Sequence, residues 1–454
     1  MGEVFSFDFM VMFGFLSVML TCGVILRAKV PFIQKYLFPS CLIGGLLGMV
    51  AMNLRVLPIR TEDIESLAYH LFNISFISVG LTKDNERTAH SKLNIAALKG
   101  PLWMALIQSL TFPLQAIVGG VVVLIFGLLG IKLFPTFGFL LPLGFNEGPG
   151  QALSFGKVWE NMGFESGATV GLAFASIGFF FSFFVGVPLA YWGIKRGLAV
   201  NQPKMISDDL ITGIVKDENK RENAGKLPLS TSNIDSLAFQ FAIVGIVYWL
   251  TYMLVKSLAS LFDDNTAKML WGFFFIIGLA VAILVKKFME ILKIDFLLDA
   301  GIQRRITGLA VDFLIVSAVS AIKLPAVWKY FVPIISMSLF AGLVTTLLVL
   351  FFSRRLEDYN LERLLSIYGV VTGTTSTGLL LLRIADPDFK TPVATELALM
   401  NIFAIPIIFS CLLIVNAPLQ RHWSITLSLL FFGLVSSAGF ILLKILKLEK
   451  SPKF

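Results

Sequence analysis

The chain is 454 residues long; 56% of them are hydrophobic, 15% are charged and 43 are phenylalanine. Soluble domains carry roughly a quarter charged residues, so a mean hydropathy of +0.83 excludes a cytosolic enzyme, a disulfide scaffold and a disordered chain. It predicts an integral membrane protein in contact with the lipid bilayer, and the net charge of +8, spread between apolar runs, argues against nucleic acid.

Apolar windows of about 20 residues predict spans over 8–28, 34–54, 62–82, 100–130 and 165–194. After a polar segment, further spans are expected over 236–258, 267–289, 300–323, 325–352, 392–416 and 422–445. Met1 to Ser6 fits an N-myristoylation pattern; it is read as coincidental because the segment is expected outside the membrane, and its acidic Glu3 does not suit a secretory signal. Two stretches, 134–156 and 362–385, are apolar but broken at their centres by Gly, Pro and polar residues. Each is a poor span or a re-entrant hairpin, and the placement of positive charge decides between the two.

With both stretches as hairpins and the N-terminus outside, 28 of the 37 Lys and Arg residues fall on the cytoplasmic side. They include Lys83, Arg87, Lys92 and Lys99, seven between Lys195 and Lys226, and Lys444, Lys447, Lys450 and Lys453 in the tail. If both stretches cross completely, the count is 18 inside against 19 outside, which violates the positive-inside rule. The expected topology is therefore multi-pass in the cell (inner) membrane, with the C-terminus cytoplasmic.

Residues 1–196 hold five spans with a hairpin before the fifth, and 235–420 repeat that order after a cytoplasmic linker at 197–234. Because five is odd, the second half inserts inverted. Weak echoes accompany the matched order: Ala168-Thr169 and Ala394-Thr395 open the spans after the hairpins, and Phe72-Asn73-Ile74 aligns with Phe313-Leu314-Ile315. The predicted fold class is an all-α polytopic membrane protein, two inverted five-helix repeats each with a re-entrant hairpin, plus one extra C-terminal span within 421–454. Inverted repeats with broken helices mark secondary transporters, whose sites lie where the breaks meet.

The first tip reads Asn146-Glu147-Gly148-Pro149-Gly150-Gln151, and the second Gly373-Thr374-Thr375-Ser376-Thr377-Gly378. Non-helical backbone at membrane depth must be buried in protein or line a wet cavity. Freed carbonyls and the hydroxyls of Thr374, Thr375, Ser376 and Thr377 are hard oxygen ligands suited to Na⁺, while half-helix N-termini suit a carboxylate. Glu147 is a candidate cation ligand, proton site or partner of a substrate ammonium. Asp312, mid-span, is a candidate cation-site or proton-relay residue or a polar strut. Arg383 either reaches a substrate carboxylate or anchors the hairpin exit beside Asp386-Pro387-Asp388, and Asn401 either faces the second hairpin's site or makes an interhelical hydrogen bond. Cys22, Cys41 and Cys411 lie in apolar segments without metal-ligand spacing. His70, His90 and His422 form no catalytic set, and no hydrolase, zincin or P-loop motif occurs. No cofactor is expected.

The order of spans and hairpins resembles the sodium/glutamate symporter family. Pro39 to Gly48 is similar to that family's second span, Leu143 to Trp159 and on to Ala168-Thr169 to its first hairpin and following span, and Gly373 to Gly378 to its second hairpin. The resemblance implies a homodimer in which a hairpin-bearing core moves against a fixed scaffold, coupling inward Na⁺ flow to uptake of an acidic amino acid or related organic anion. The chain departs from the family at the first tip, where a Gly-Gly-His-Gly-Thr-like run is replaced by Asn146 to Gln151. A carboxylate there repels a dianionic substrate unless it is neutralised. A proton-coupled carrier of a different small solute and a passive channel are the alternative expectations.

Overall fold

The computed structural model describes residues 7–82, 95–201, 208–221, 223–225, 227–229, 233–387, 389–448 and 450–452. The Met1–Ser6 pattern, and with it Lys83, Arg87, His90, Lys92, Lys204, Lys226, Asp388 and Lys453, lies outside the described residues.

The described fold is helical throughout, with no strand. From the N-terminus come α1 (Asp8–Lys29), α2 (Pro31–Lys35), α3 (Ser40–Asn53), α4 (Thr61–Leu81) and α5 (Ile95–Leu128). There follow α6 (Leu140–Phe145), α7 (Pro149–Glu160), α8 (Gly167–Phe181), a π-helical turn at Ser182–Gly186, α9 (Val187–Lys195) and α10 (Asp208–Thr212). The second half holds α11 (Ser236–Ala259), α12 (Asp264–Gly272), α13 (Phe274–Ile291), α14 (Ala300–Ser320), α15 (Leu324–Lys329) and α16 (Phe331–Ser353). It ends with α17 (Asn360–Val371), α18 (Thr375–Ala385), α19 (Val393–Gln420) and α20 (Ile425–Ile445).

Among the described residues eight helices are long and apolar enough to cross a membrane: α1, α4, α5, α8 continued through α9, α11, α16, α19 and α20. Bare apolar side chains such as Phe9, Met10 and Phe13 on α1, and Leu430 and Leu434 on α20, need lipid around them. Three expected spans differ from this pattern. The stretch 267–289 is two helices bent by 61° about Phe273, which together make a ninth span if counted as one. In 34–54, Tyr36 and Leu37 (φ 52°) break the chain before Pro39, leaving α3 with 14 residues, about 21 Å at 1.5 Å per residue. The stretch 300–323 is helical as α14, 21 residues long, but Arg304, Arg305 and Asp312 keep it out of the most apolar set.

The chain divides into two compact units, each drawing on both halves of the sequence. One comprises Met1–Ala28, Pro39–Lys92 and Gly213–Ala321. In it α14 packs on α3 and α4, and α13 on α4 and α11, around Ile77, Leu81, Val244, Val247 and Ala282. Several of its buried polar atoms pair across helices: Ser78 Oγ donates to Gln303, Gln303 Nε2 to Gln240 Oε1 (3.0 Å), and Gln240 Nε2 to Leu297 O (2.6 Å). Each such pair removes the penalty of an unsatisfied group in an apolar setting.

The second unit comprises Lys29–Phe38, Leu93–Thr212 and Ile322–Phe454. The long α5 is its spine, flanked by α16, α19 and α20. Both broken stretches lie here as helix–turn–helix pairs, α6–α7 and α17–α18, with segments of 6, 12, 12 and 11 residues, each shorter than a span needs. The arms of the second pair double back so closely that a methyl on Gly369 would stand 2.7 Å from Gly378 Cα.

The bases of the two pairs are fastened differently. At the first, Trp159 Nε1 donates to Asn416 Oδ1 at 2.7 Å. At the second, Arg363 makes a two-pronged ion pair with Glu396 (2.8 and 2.6 Å), both side chains being about nine-tenths buried, and Gly100 leaves room for the carboxylate. The start of the linker after the first half also grips this base. Val200 N donates to Glu362 Oε1 (2.8 Å) and Asn201 Nδ2 to Asp386 Oδ1 (3.1 Å), while Ala199 is buried.

Candidate functional site

At the first break, Gly148 adopts φ +84°, a conformation that costs a side-chain-bearing residue of order 1–3 kcal/mol, and Pro149 opens α7 at its first position, where the missing N–H is no loss. At the second, Thr374 is extended and caps α18, its Oγ1 accepting from Thr377 N at 3.4 Å. The two breaks meet within the one unit. A methyl on Gly148 would stand 2.9 Å from Thr374 Cγ2 and 3.1 Å from Gly373 O. Because α7 and α18 both begin at this junction, their N-terminal N–H groups and positive dipole ends flank it.

One face of α5 serves both tips. Gln108 Nε2 donates to Glu147 Oε1 (3.3 Å), Thr111 Oγ1 accepts from Asn146 Nδ2 (2.8 Å), and Gln115 Nε2 donates to Thr345 Oγ1 and Val371 O (both 3.0 Å). Residues 108, 111 and 115 fall at i, i+3 and i+7, a single helical stripe. Sequence reasoning missed these three. Polar residues at helical spacing inside the apolar 100–130 run were the available signal.

Glu147 is half-buried and also accepts from Gln151 Nε2 at 2.8 Å. Asn146 and Gln151 are each 2% exposed. Beside the second tip, Ser182, the first residue of the π-helical turn, lies 2.6 Å from Thr372 Oγ1, which donates to Tyr368 O. Single π turns recur at functional places in helices, and this one sets a hydroxyl against the break.

Asn146, Glu147 and Gly148 thus gather with Gly373 and Thr374. Gly150 and Gln151 are buried in the first turn of α7. Thr377 is buried with its Oγ1 3.2 Å from that of Thr374, whereas Thr375 and Ser376 are exposed. Gly378 is filled by its surroundings: a Cβ there would meet Ser366 O at 2.5 Å and Leu397 Cδ2 at 3.5 Å. Arg383 is exposed, its guanidinium 5.0 Å from the Phe389 ring centroid, and Asn401 is half-buried on α19. Asp312 belongs to the other unit, exposed on α14.

Beyond the end of α18, burial of Asp386 favours its neutral form, but four donors outweigh it. They are Thr391 Oγ1 (2.6 Å), Thr391 N (2.8 Å), Lys390 N (3.0 Å) and Asn201 Nδ2, and they hold the carboxyl below its ordinary pKa. No group of three His, Cys, Asp or Glu side chains is placed to hold a metal ion among the described residues. What the junction offers is amide, hydroxyl and carbonyl oxygen, one carboxylate, and helix N-termini, a set suited to a small hard cation and an anion rather than to bond-breaking chemistry.

No curated protein matches the sequence. The family model described as sodium/glutamate symporter matches residues 5–382, from just before α1 to within α18. Covering most of the chain, both tips included, it establishes that this protein belongs to the sodium/glutamate symporter family, whose members are membrane transporters and not enzymes.

Proposed function

We propose that the protein is a Na⁺-coupled secondary transporter that imports glutamate or a related acidic amino acid or organic anion across the cell inner membrane. The site is the junction of the two tips, formed by Asn146, Glu147, Gly148, Gly150 and Gln151 with Gly373 to Gly378. The two helix–turn–helix pairs are re-entrant hairpins of inverted repeats, the first tip reached from outside and the second from the cytoplasm. In this scheme the hairpin-bearing unit moves as a body against the other in a homodimer, with the N-terminus outside and the C-terminus inside.

The observation that carries the proposal is the contact of Gly148 with Gly373 and Thr374. Two unwound segments, each expensive in hydrocarbon, come together where two helix N-termini can receive a carboxylate and free oxygens can receive a cation. The test is uptake of labelled glutamate, aspartate and dicarboxylates into proteoliposomes under an inward Na⁺ gradient. Accumulation that collapses with the gradient is expected; equal uptake under a proton gradient alone would replace Na⁺ by H⁺.

A further inference from the structure

Glu362 stands in the first turn of α17, at the base of the second helix–turn–helix pair, and is fully buried. Its Oε1 accepts from Val200 N at 2.8 Å, but its Oε2 is buried and has no hydrogen-bond partner. Ser366, one turn further along α17, is fully buried too, and its Oγ is also without a partner. Residues four apart share a helix face and helical side chains lean towards the N-terminus, so Ser366 Oγ is directed back over Glu362. Buried polar atoms are nearly always paired, and two unpaired oxygens on one face leave a place for one hydrogen between them.

The surrounding charge favours that hydrogen. The charges that bear most on Glu362 are those of Asp386, which repels, and Arg363, which attracts. Asp386 is kept ionised by its four donors, and Arg363 is spent on Glu396 and on Asp358 O. Around α17, Lys99 of α5, Lys195 of α9 and Arg383 of α18 are exposed, while α16 and the π-helical turn carry no charge. An ionised Glu362 would thus put a second negative charge into the base with one backbone N–H to receive it. Burial outweighs that bond and the pull of Arg363, and holds the carboxyl above its ordinary pKa.

We propose that Glu362 is a proton-binding site, separate from the two tips, whose occupancy decides whether residues 199–201 stay seated on the base of the second pair. With the proton in place the carboxyl is neutral, and the linker covers it through Val200 N, Asn201 Nδ2 and the buried Ala199. As pH rises the proton passes to water, and the charge left beside Asp386 has to be hydrated. The cover is the cheapest part to displace, since two hydrogen bonds hold it and the Val200 side chain is already 58% exposed. Because the folded pKa is raised, the contribution of Glu362 is complete below the unfolded value of about 4.3. It is lost as pH rises through the folded value. The proposal holds whichever ion or substrate the tips receive; in the topology proposed above, the site reads cytoplasmic pH.

The experiment is hydrogen exchange of the full-length protein in lipid nanodiscs from pH 6 to 9, read at the Val200 amide and corrected for the intrinsic pH dependence of exchange. Thermal unfolding is followed on the same samples. In the wild type, protection of Val200 is expected to fall roughly tenfold or more across this range, and the unfolding temperature to fall relative to Glu362→Gln. Glu362→Gln has no charge to expose and should keep Val200 protected at every pH. Asp386→Asn removes the neighbouring negative charge and should move the wild-type midpoint to lower pH. Flat protection in the wild type overturns the proposal, even if the unfolding temperature still depends on pH, because Glu362 would then be structural only. Loss of protection with the wild-type midpoint in Glu362→Gln places the titrating group elsewhere and overturns it as well. Should Glu362→Gln fail to fold, Asp386→Asn decides, and an unmoved midpoint there sinks the proposal.

Discussion

The two tips share a unit and touch, yet they are built from different chemistry. The first is held from outside itself: Asn146 and Glu147 lean on Thr111 and Gln108 of α5, and the turn depends on Gly148 at positive φ. The second adds hydroxyls of its own, Thr374 capping α18 and Thr372 donating to Tyr368 O, to the holds of Ser182 on Thr372 and of Gln115 of α5 on Val371 O. Charge belongs to the first tip and to both bases, where Lys157 pairs with Glu160 and Arg363 with Glu396. Where two breaks must approach closely, both lean on neighbours, but the second carries a hydroxyl cap of its own that the first lacks, so mutations should affect them differently.

The largest expected effect lies at the base of the second pair. Arg363→Ala leaves Glu396 buried without its partner and should cost about 3–5 kcal/mol, whereas replacing both by apolar residues should cost much less; thermal unfolding of the three variants measures the difference. Next comes the contact between tips. Gly148→Ala forces a Cβ into a left-handed conformation and towards Thr374, at about 2 kcal/mol, and uptake should fall at least tenfold while the protein still inserts. If Gly148→Ala transports normally, the tips are not as tightly apposed as their geometry requires. Third is the base of the first pair. Trp159→Phe removes a neutral hydrogen bond and leaves Asn416 Oδ1 without that donor, at about 1–2 kcal/mol, so its unfolding temperature should fall less than that of Arg363→Ala.

The smallest effect is one of pH. Asp386 has its folded pKa lowered, so its contribution is present above the unfolded value of about 3.9 and is lost as pH falls through the lower folded value. The wild type should lose stability faster than Asp386→Asn as acid unfolding is followed below about pH 4. Parallel curves would remove Asp386 from the fastening of the second base.

The breaks were readable because Gly, Pro and hydroxyl residues interrupt otherwise unbroken apolar runs, and membrane physics makes such interruptions conspicuous. Membership of the sodium/glutamate symporter family was readable too, from the order of elements, from Pro39 to Gly48 and the surroundings of the first break, and from Gly373 to Gly378, although the first tip departs from the family. The α5 stripe was not singled out, since Gln108, Thr111 and Gln115 in an apolar helix resemble ordinary interhelical packing until their partners at 146, 147, 345 and 371 are known. The interleaving of both halves in each unit depends on contacts far apart in sequence, which composition does not encode. Glu147 was placed at the first tip and Asp312 mid-span, as a relay residue or a strut, but that they belong to different units was not legible. The bend at Phe273 was not singled out either, because the one Gly beside it, Gly272, reads as an ordinary interruption of an apolar run.

The hold of Val200 and Asn201 on the second base means that the linker leaves the first half with a clasp on the second. A gene split after codon 201 would yield two polypeptides of which the earlier retains its handle on the later, so co-expressed fragments should reassemble. A split before codon 199 would strand the clasp on the wrong piece and weaken that reassembly.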